Sequence, residues 1–142
     1  MTHWTDAHCH LQGQFLSGDS QVVASARATL DRAFAAGVDR VVVVGTDATT
    51  SREALALCDL ESPVEIYATV GLHPHEASSD LAPVEALARA GHERLVGVGE
   101  CGLDYYYEHS PRGAQRQAFA LQIALAYELD LALVIHAARR LR

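Results

Sequence analysis

Histidines and carboxylates recur in four short motifs of this chain: "DAHCHL" (6–11), "GLHPH" (71–75), "GECGLDYY" (99–106) and "LALVIH" (131–136). His8 and His10 are separated by a single residue. On an extended strand alternate side chains share a face, so both imidazoles point one way and Cys9 points the other. Two nitrogen donors on one face can bind the same divalent cation, while Cys9 reads as packing. Asp6 shares the parity of the histidines. It reads either as orienting an imidazole or as a solvated residue at the start of a strand. Glu100 follows "VGVG" in an otherwise apolar stretch, where a carboxylate needs a partner, and a cation is one. Gly97, Gly99 and Gly102 leave room for close approach around it. His136 closes another apolar run and means little alone; the weight lies in the set of His8, His10, Glu100 and His136. Such N/O donors suit zinc, manganese or iron, and magnesium through the carboxylate. A cation held there would supply hydroxide near neutral pH, and no Ser-His-Asp or Cys-His arrangement competes.

These residues need elements that bring them to one place. β-branched runs at 40–46, 64–72, 94–100 and 131–136, with a first strand near 4–9, alternate with Ala- and Leu-rich segments at 21–36, 50–60, 79–91 and 111–129. Ser110 is expected to cap the last helix, with Pro111 at its first position, while Gly37 and Gly91 close earlier helices. Strands apolar on both faces and separated by helices imply a parallel sheet with right-handed crossovers. Ligand-binding residues then belong beyond the carboxyl ends of the strands, where all four motifs fall. No G-x-G-x-x-G follows the first strand, which weakens an open dinucleotide-binding sheet. The alternative is a TIM-type β/α barrel, which needs about 250 residues. The fold expected is therefore α/β, one domain over 1–142, a partial barrel of about five strands and four helices.

Eighteen acidic against eleven basic side chains give a formal charge of −7. That argues against a broad basic nucleic-acid-binding surface, but not against phosphate binding at one metal-loaded spot. Cys9, Cys58 and Cys101 form no CxxC pair and read as reduced thiols of a cytoplasmic protein. The start "MTHWTDAHCH" lacks the pattern of a signal peptide, and no apolar run approaches the roughly 20 residues of a membrane span.

The four motifs, together with the helix "SPRGAQRQAFALQIALAYEL" (110–129), come in the order and spacing of TatD-type metal-dependent deoxyribonucleases. The chain resembles that family along its whole length. The resemblance implies two divalent ions in a barrel mouth and hydrolysis of DNA phosphodiesters. In that scheme His8 and His10 hold the first ion, Glu100 is the catalytic carboxylate bridging both, and His136 holds the second. His73, rather than His75, would face the phosphate, and Asp104, Tyr105 and Tyr106 would line the substrate cleft. The family's phosphate-binding arginine has no counterpart at Ala138, so Arg139 or Arg140 would have to serve. Ala132 stands where the family carries proline. His3 and His92 are expected to be exposed, and His109 to be a loop residue.

The resemblance also implies three further strands bearing another histidine and an aspartate, and no residue here takes either role. The chain therefore reads as the N-terminal part of a longer barrel. Alone it is expected to be weak or inactive, and to self-associate through its open first and fifth strands. Two other readings stay open: a hydrolase of a small ester or amide, and a non-catalytic remnant. Competition by DNA separates the first of these from a nuclease.

Overall fold

A computed structural model describes residues 3–16 and 22–139. In chain order they form β1 (Trp4–Cys9), α1 (Val22–Ala35), β2 (Val38–Val44), α2 (Ala48–Leu57), β3 (Glu65–Val70), a 3-10 turn (Pro74–Glu76), α3 (Ala82–Ala90), β4 (Leu95–Asp104), α4 (Arg112–Glu128) and β5 (Ala132–Ala138). The strands make one sheet in the order β1-β2-β3-β4-β5, and every neighbouring pair is parallel. The result is a half-barrel of five strands and four helices, as the alternation of the sequence implies.

Helices cover the sheet through two apolar clusters. Leu30 of α1 and Ala54 and Leu57 of α2 pack on Val41, Val43 and Ile66. Val84 of α3 and Ala118 and Leu125 of α4 pack on Val70, Leu95 and Val98. Each of the Val, Leu and Ile side chains among them, fully buried, contributes roughly 1.5–3 kcal/mol of transfer free energy. The opposite condition holds at the margins, where β1 is exposed along most of its length. Trp4 is 61% exposed and Ile135 on β5 is 58% exposed. Among the described residues no helix is long and apolar enough to cross a membrane.

Several element ends depart from the expectation. α2 starts at Ala48 because Asp47 and Thr50 form a capping box: the Asp47 carboxylate accepts the Thr50 N–H at 2.7 Å, and Thr50 Oγ1 accepts the Asp47 N–H at 3.0 Å. Ser110 does not cap α4. Pro111 occupies the N-cap position, and Ser110 Oγ donates instead to the His75 carbonyl at 2.8 Å. Ser110 thus stands one position before the N-cap, with its hydroxyl directed to the loop after β3.

β4 and β5 both run past their expected ends, so Glu100 and His136 lie within strands rather than at the tips. Pairing between these strands is irregular from Val98 to Cys101 and then resumes with Gly102 opposite His136 and Asp104 opposite Ala138. Gly99 and Gly102 make this possible at φ of 127° and 139°. A Cβ at either would overlap the carbonyl of Val134 or His136.

Candidate metal centre

The carboxyl ends of the strands converge on Glu100, whose backbone is fixed from two sides. Its N–H donates to the Gly45 carbonyl at 2.8 Å, and the preceding carbonyl, of Gly99, accepts from Thr69 Oγ1 at 2.6 Å. The side chain is 12% exposed and stands between imidazoles. One carboxylate oxygen lies 3.3 Å from His8 Nε2 and 3.8 Å from His10 Nε2. The other lies 3.0 Å from His136 Nδ1 and 3.8 Å from His73 Nε2. Two sets of three donors result, His8/His10/Glu100 and His73/His75/His136, each with its ligand atoms within 4.8 Å of one another.

The shared face of His8 and His10 follows from strand alternation, and their rings meet edge to face at 5.2 Å. Cys9 turns the other way, against the α1–α2 cluster. His10 Nδ1 lies 3.0 Å from the Val44 carbonyl. A carbonyl only accepts, so Nδ1 carries the proton and the Nε2 lone pair faces Glu100. This is the outer hydrogen bond that metal-ligating histidines ordinarily make. Asp6 accepts the His8 backbone N–H at 3.1 Å and so orients no imidazole.

His73 is held differently. Its Nδ1 accepts the His75 N–H at 3.1 Å, capping the 3-10 turn, so the neutral ring carries its proton on Nε2. That nitrogen is a donor aimed toward Glu100, which removes His73 from the lone-pair donors of the second set. Burial lowers its pKa to about 4; nearby Glu100 opposes the shift, while His136 and His75 add to it.

Both histidines of "HPH" turn inward, where His73 alone was expected to. His75 Nε2 and His136 Nε2 lie 2.7 Å and 3.1 Å from the same oxygen of Asp104. The other oxygen of Asp104 accepts the N–H groups of Tyr106 and Tyr107 at 3.0 Å and 2.9 Å. Asp104 is fully buried, and burial alone would raise its pKa. The Tyr107 N–H, the two imidazoles and the Tyr106 N–H outweigh that and hold it well below the usual carboxylate range. Its backbone is clamped by Gln115 of α4, which accepts the Asp104 N–H at 2.7 Å and donates to the Asp104 and Ser110 carbonyls. Gln122, about two turns further along the same face of α4, does the same for Leu72.

The centre opens into a cavity of about 390 Å³ whose walls include Phe15, Asp47, Glu76 and Tyr107. The Phe15 ring lies 4.7 Å from His10 on one side. On the other, Tyr107 stacks parallel to His109, whose ring touches His75 at 4.5 Å. Tyr105 is not in the wall: its ring lies under the Arg112 guanidinium, 4.4 Å away, because the turn after β4 rotates it toward α4. Tyr106 is exposed. Arg139 follows β5 and is exposed, and Arg140 lies outside the described residues. His3 is exposed beside Asp39, whereas His92 is half-buried and accepts the Arg94 N–H. Burial pushes the thiols of Cys9 and Cys101 up to about 12 and that of Cys58 to about 11, so none is a nucleophile.

The donor chemistry fits a divalent cation. Ligand atoms about 2.0–2.2 Å from one ion lie roughly 3 Å apart. His8 Nε2 and His136 Nδ1 stand at 3.3 Å and 3.0 Å from opposite oxygens of Glu100. Glu100 thus has an imidazole near each of its two carboxylate oxygens.

Comparison with known proteins gives a consistent picture. The family model described as TatD related DNase matches residues 5–140. An uncharacterized metal-dependent hydrolase of Bacillus subtilis, YabD, is 38% identical over 92% of this chain and 49% of its own length. A protein named 3′-5′ ssDNA/RNA exonuclease TatD, from Rahnella, is 42% identical over 75% of this chain and 41% of its own. The crystal structure of the TatD homologue YJJV of Escherichia coli superposes with a TM-score of 0.80 at 28% identity, covering 96% of this chain and 51% of that one. That of a TatD family hydrolase from Entamoeba histolytica gives 0.78 at 16% identity, a likeness of fold. These neighbours are TIM barrels, and the chain spans about half the length of the curated relatives it matches. With the family model covering nearly every residue from the first strand to the last, this chain belongs to the TatD-related DNase family.

Proposed function

We propose that this chain carries the N-terminal half of the active site of a metal-dependent phosphodiesterase acting on single-stranded nucleic acid ends. The observation that carries the reading is the placement of Glu100, with His8 and His10 on one carboxylate oxygen and His136 on the other. His8, His10 and Glu100 would hold one divalent cation, and Glu100 and His136 a second. Divalent cations held there would supply a water of lowered pKa and positive charge for the phosphodiester oxygens. His73 would donate its Nε2–H to a phosphoryl oxygen, and exposed Arg139 would meet a neighbouring phosphate at the rim. Asp104 acts from behind the histidines, since both its oxygens are engaged by protein donors. Tyr107, in the cavity wall where Tyr105 was expected, would stack on an unpaired base, with Phe15 opposite. Three free thiols, Cys58 and Cys101 buried and Cys9 partly so, suit a reducing, cytoplasmic setting. Further strands would add the ligands absent here and cover the open edges of β1 and β5; without them we expect slow turnover and self-association.

The test is release of nucleotides from an end-labelled single-stranded oligonucleotide by the Mn2+-supplemented chain. Slow release, abolished by chelation and by Glu100→Ala, is expected. Release that is indifferent to Glu100→Ala contradicts the reading. Cleavage of a small ester that a dinucleotide fails to inhibit favours the small-substrate hydrolase.

A further inference from the structure

We propose that Arg112 and Arg116, gathered around Tyr105 beside the cleft, form a second binding surface for the part of a single strand that extends out of it. Arg112 stacks on an unpaired base there, and Arg116 meets a phosphate. The inference rests on the reading of the cleft as a site for nucleic acid ends, and it adds where the rest of the strand runs. The turn after β4 sends its tyrosines two ways. Tyr107 is in the cavity wall, whereas the Tyr105 ring lies under the Arg112 guanidinium, 4.4 Å away. The Tyr105 hydroxyl accepts from Arg116 Nη1 at 3.5 Å, about one turn further along α4. The Tyr105 N–H donates to the Ala138 carbonyl at 2.7 Å, which sets this residue beside the end of β5, where exposed Arg139 follows. Asp104, immediately before Tyr105, lies 3.1 Å from His136 Nε2, so the surface adjoins the centre.

Two contacts hold Arg112. Its Nε donates to the Glu108 carboxylate, and its guanidinium sits over the Tyr105 ring, yet the side chain stays 52% exposed. A guanidinium fixed in this way is ordered before any ligand arrives, and unpaired bases stack on arginine planes as they do on aromatic rings. Among the described residues neither Arg116 nor Arg139 makes an ion pair, and both are exposed. Other surface arginines are neutralised in place, Arg40 by Glu65 and Arg89 by Glu128. Three guanidiniums around Tyr105 share one carboxylate partner, Glu108, a local reversal of sign on a chain of net charge −7. Positive charge combined with a stacking platform is what binds single strands without regard to sequence.

The test is the salt dependence of binding to a labelled twelve-residue oligothymidylate with phosphorothioate linkages, followed by anisotropy in the 142-residue chain at a fixed, low Mn2+ concentration. Arg112→Gln/Arg116→Gln should weaken binding about 5-fold or more. Its plot of log Kd against log salt should be shallower by about 1.4, the share of two phosphate-neutralising charges on a single strand. Arg112→Lys/Arg116→Lys should restore the slope but not the full affinity, because an ammonium keeps the charge and loses the flat stacking face. An unchanged slope in a folded glutamine variant overturns the proposal, as does a natural chain that does not bind the oligonucleotide. Displacement of the oligonucleotide by polyglutamate at equal charge would assign the surface to acidic peptides and also overturn it. The natural chain decides even if the variants do not fold: the Arg112 Nε–H resonance should shift on titration with the oligonucleotide, and a signal that stays in place overturns the proposal. Unchanged binding alongside Glu100-dependent nucleotide release would sink this inference alone; altered binding alongside release indifferent to Glu100→Ala would sink only the reading of the cleft.

Discussion

The two sides of Glu100 are built to different standards. On one side, His8 lies on β1 and His10 just past its end, on an edge strand whose residues are mostly exposed; the His8 side chain is 41% exposed. Its backbone pairs with β2 alone, with register breaks along the way. On the other side, His136 lies on β5, also an edge, yet it is gripped by a buried network running from Asp104 to Gln115, Ser110 and His75. The difference shows that an edge-strand position alone does not determine how many partners hold a side chain. A helix laid across the end of the sheet, carrying glutamines on its buried face, supplies what a neighbouring strand does not.

That contrast can be broken by cutting the network at its anchor. Gln115→Ala removes three hydrogen bonds and leaves the Asp104 N–H, the Asp104 carbonyl and the Ser110 carbonyl without partners. We expect a loss of about 2–4 kcal/mol in urea unfolding, since buried polar groups are costly to leave unpaired. A loss no larger than that of an average surface substitution would show the network to be decorative.

Acid sharpens the comparison next. Burial keeps His73 neutral down to about pH 4, whereas in the unfolded chain it takes up a proton near the ordinary value of 6.5. The unfolded state therefore binds more protons between these values, and stability present above pH 6.5 is lost as pH falls toward 4. The expected decline is on the order of 1–3 kcal/mol in the metal-free chain, measured as the urea midpoint against pH. His73→Phe should flatten the profile in that window; an unchanged profile would place the sensitivity elsewhere.

The smallest stability effect is expected on the β1 side. His8→Ala removes an exposed side chain and should leave the urea midpoint within about 0.5 kcal/mol of the natural chain, while weakening Mn2+ binding. A large loss of stability would mean that the β1 edge is as tightly integrated as β5.

Much of this was legible in the residues themselves. The strand–helix alternation and the parity of His8 and His10 follow from periods of 3.6 and 2 that burial imposes on any sequence. Glu100 stood out because a carboxylate in "VGVGE" has few other reasons to be there. What escaped depends on rotation and on distant partners. Pro74 fixes a turn without saying which flanking histidine faces inward, and the fold turns both. The extension of β4 was hidden because its glycines interrupt the apolar run that marks a strand. Tyr105 and Tyr107 differ in exposure to the cavity through the twist of one turn, set by Arg112 and Asp104. Gln115 and Gln122 did carry a signal: two polar residues seven apart on the otherwise apolar face of α4, the spacing that places both toward the sheet.

The central claim is that Glu100 joins the two donor sets into one cation-binding centre. Isothermal titration of Mn2+ into the 142-residue chain and into Glu100→Ala, with both shown to be folded by circular dichroism, tests it directly. The account predicts binding to the natural chain and affinity well over about 100-fold weaker in the variant, beyond the roughly 10- to 100-fold that loss of an outer partner causes. Equal affinity in the two proteins would contradict it.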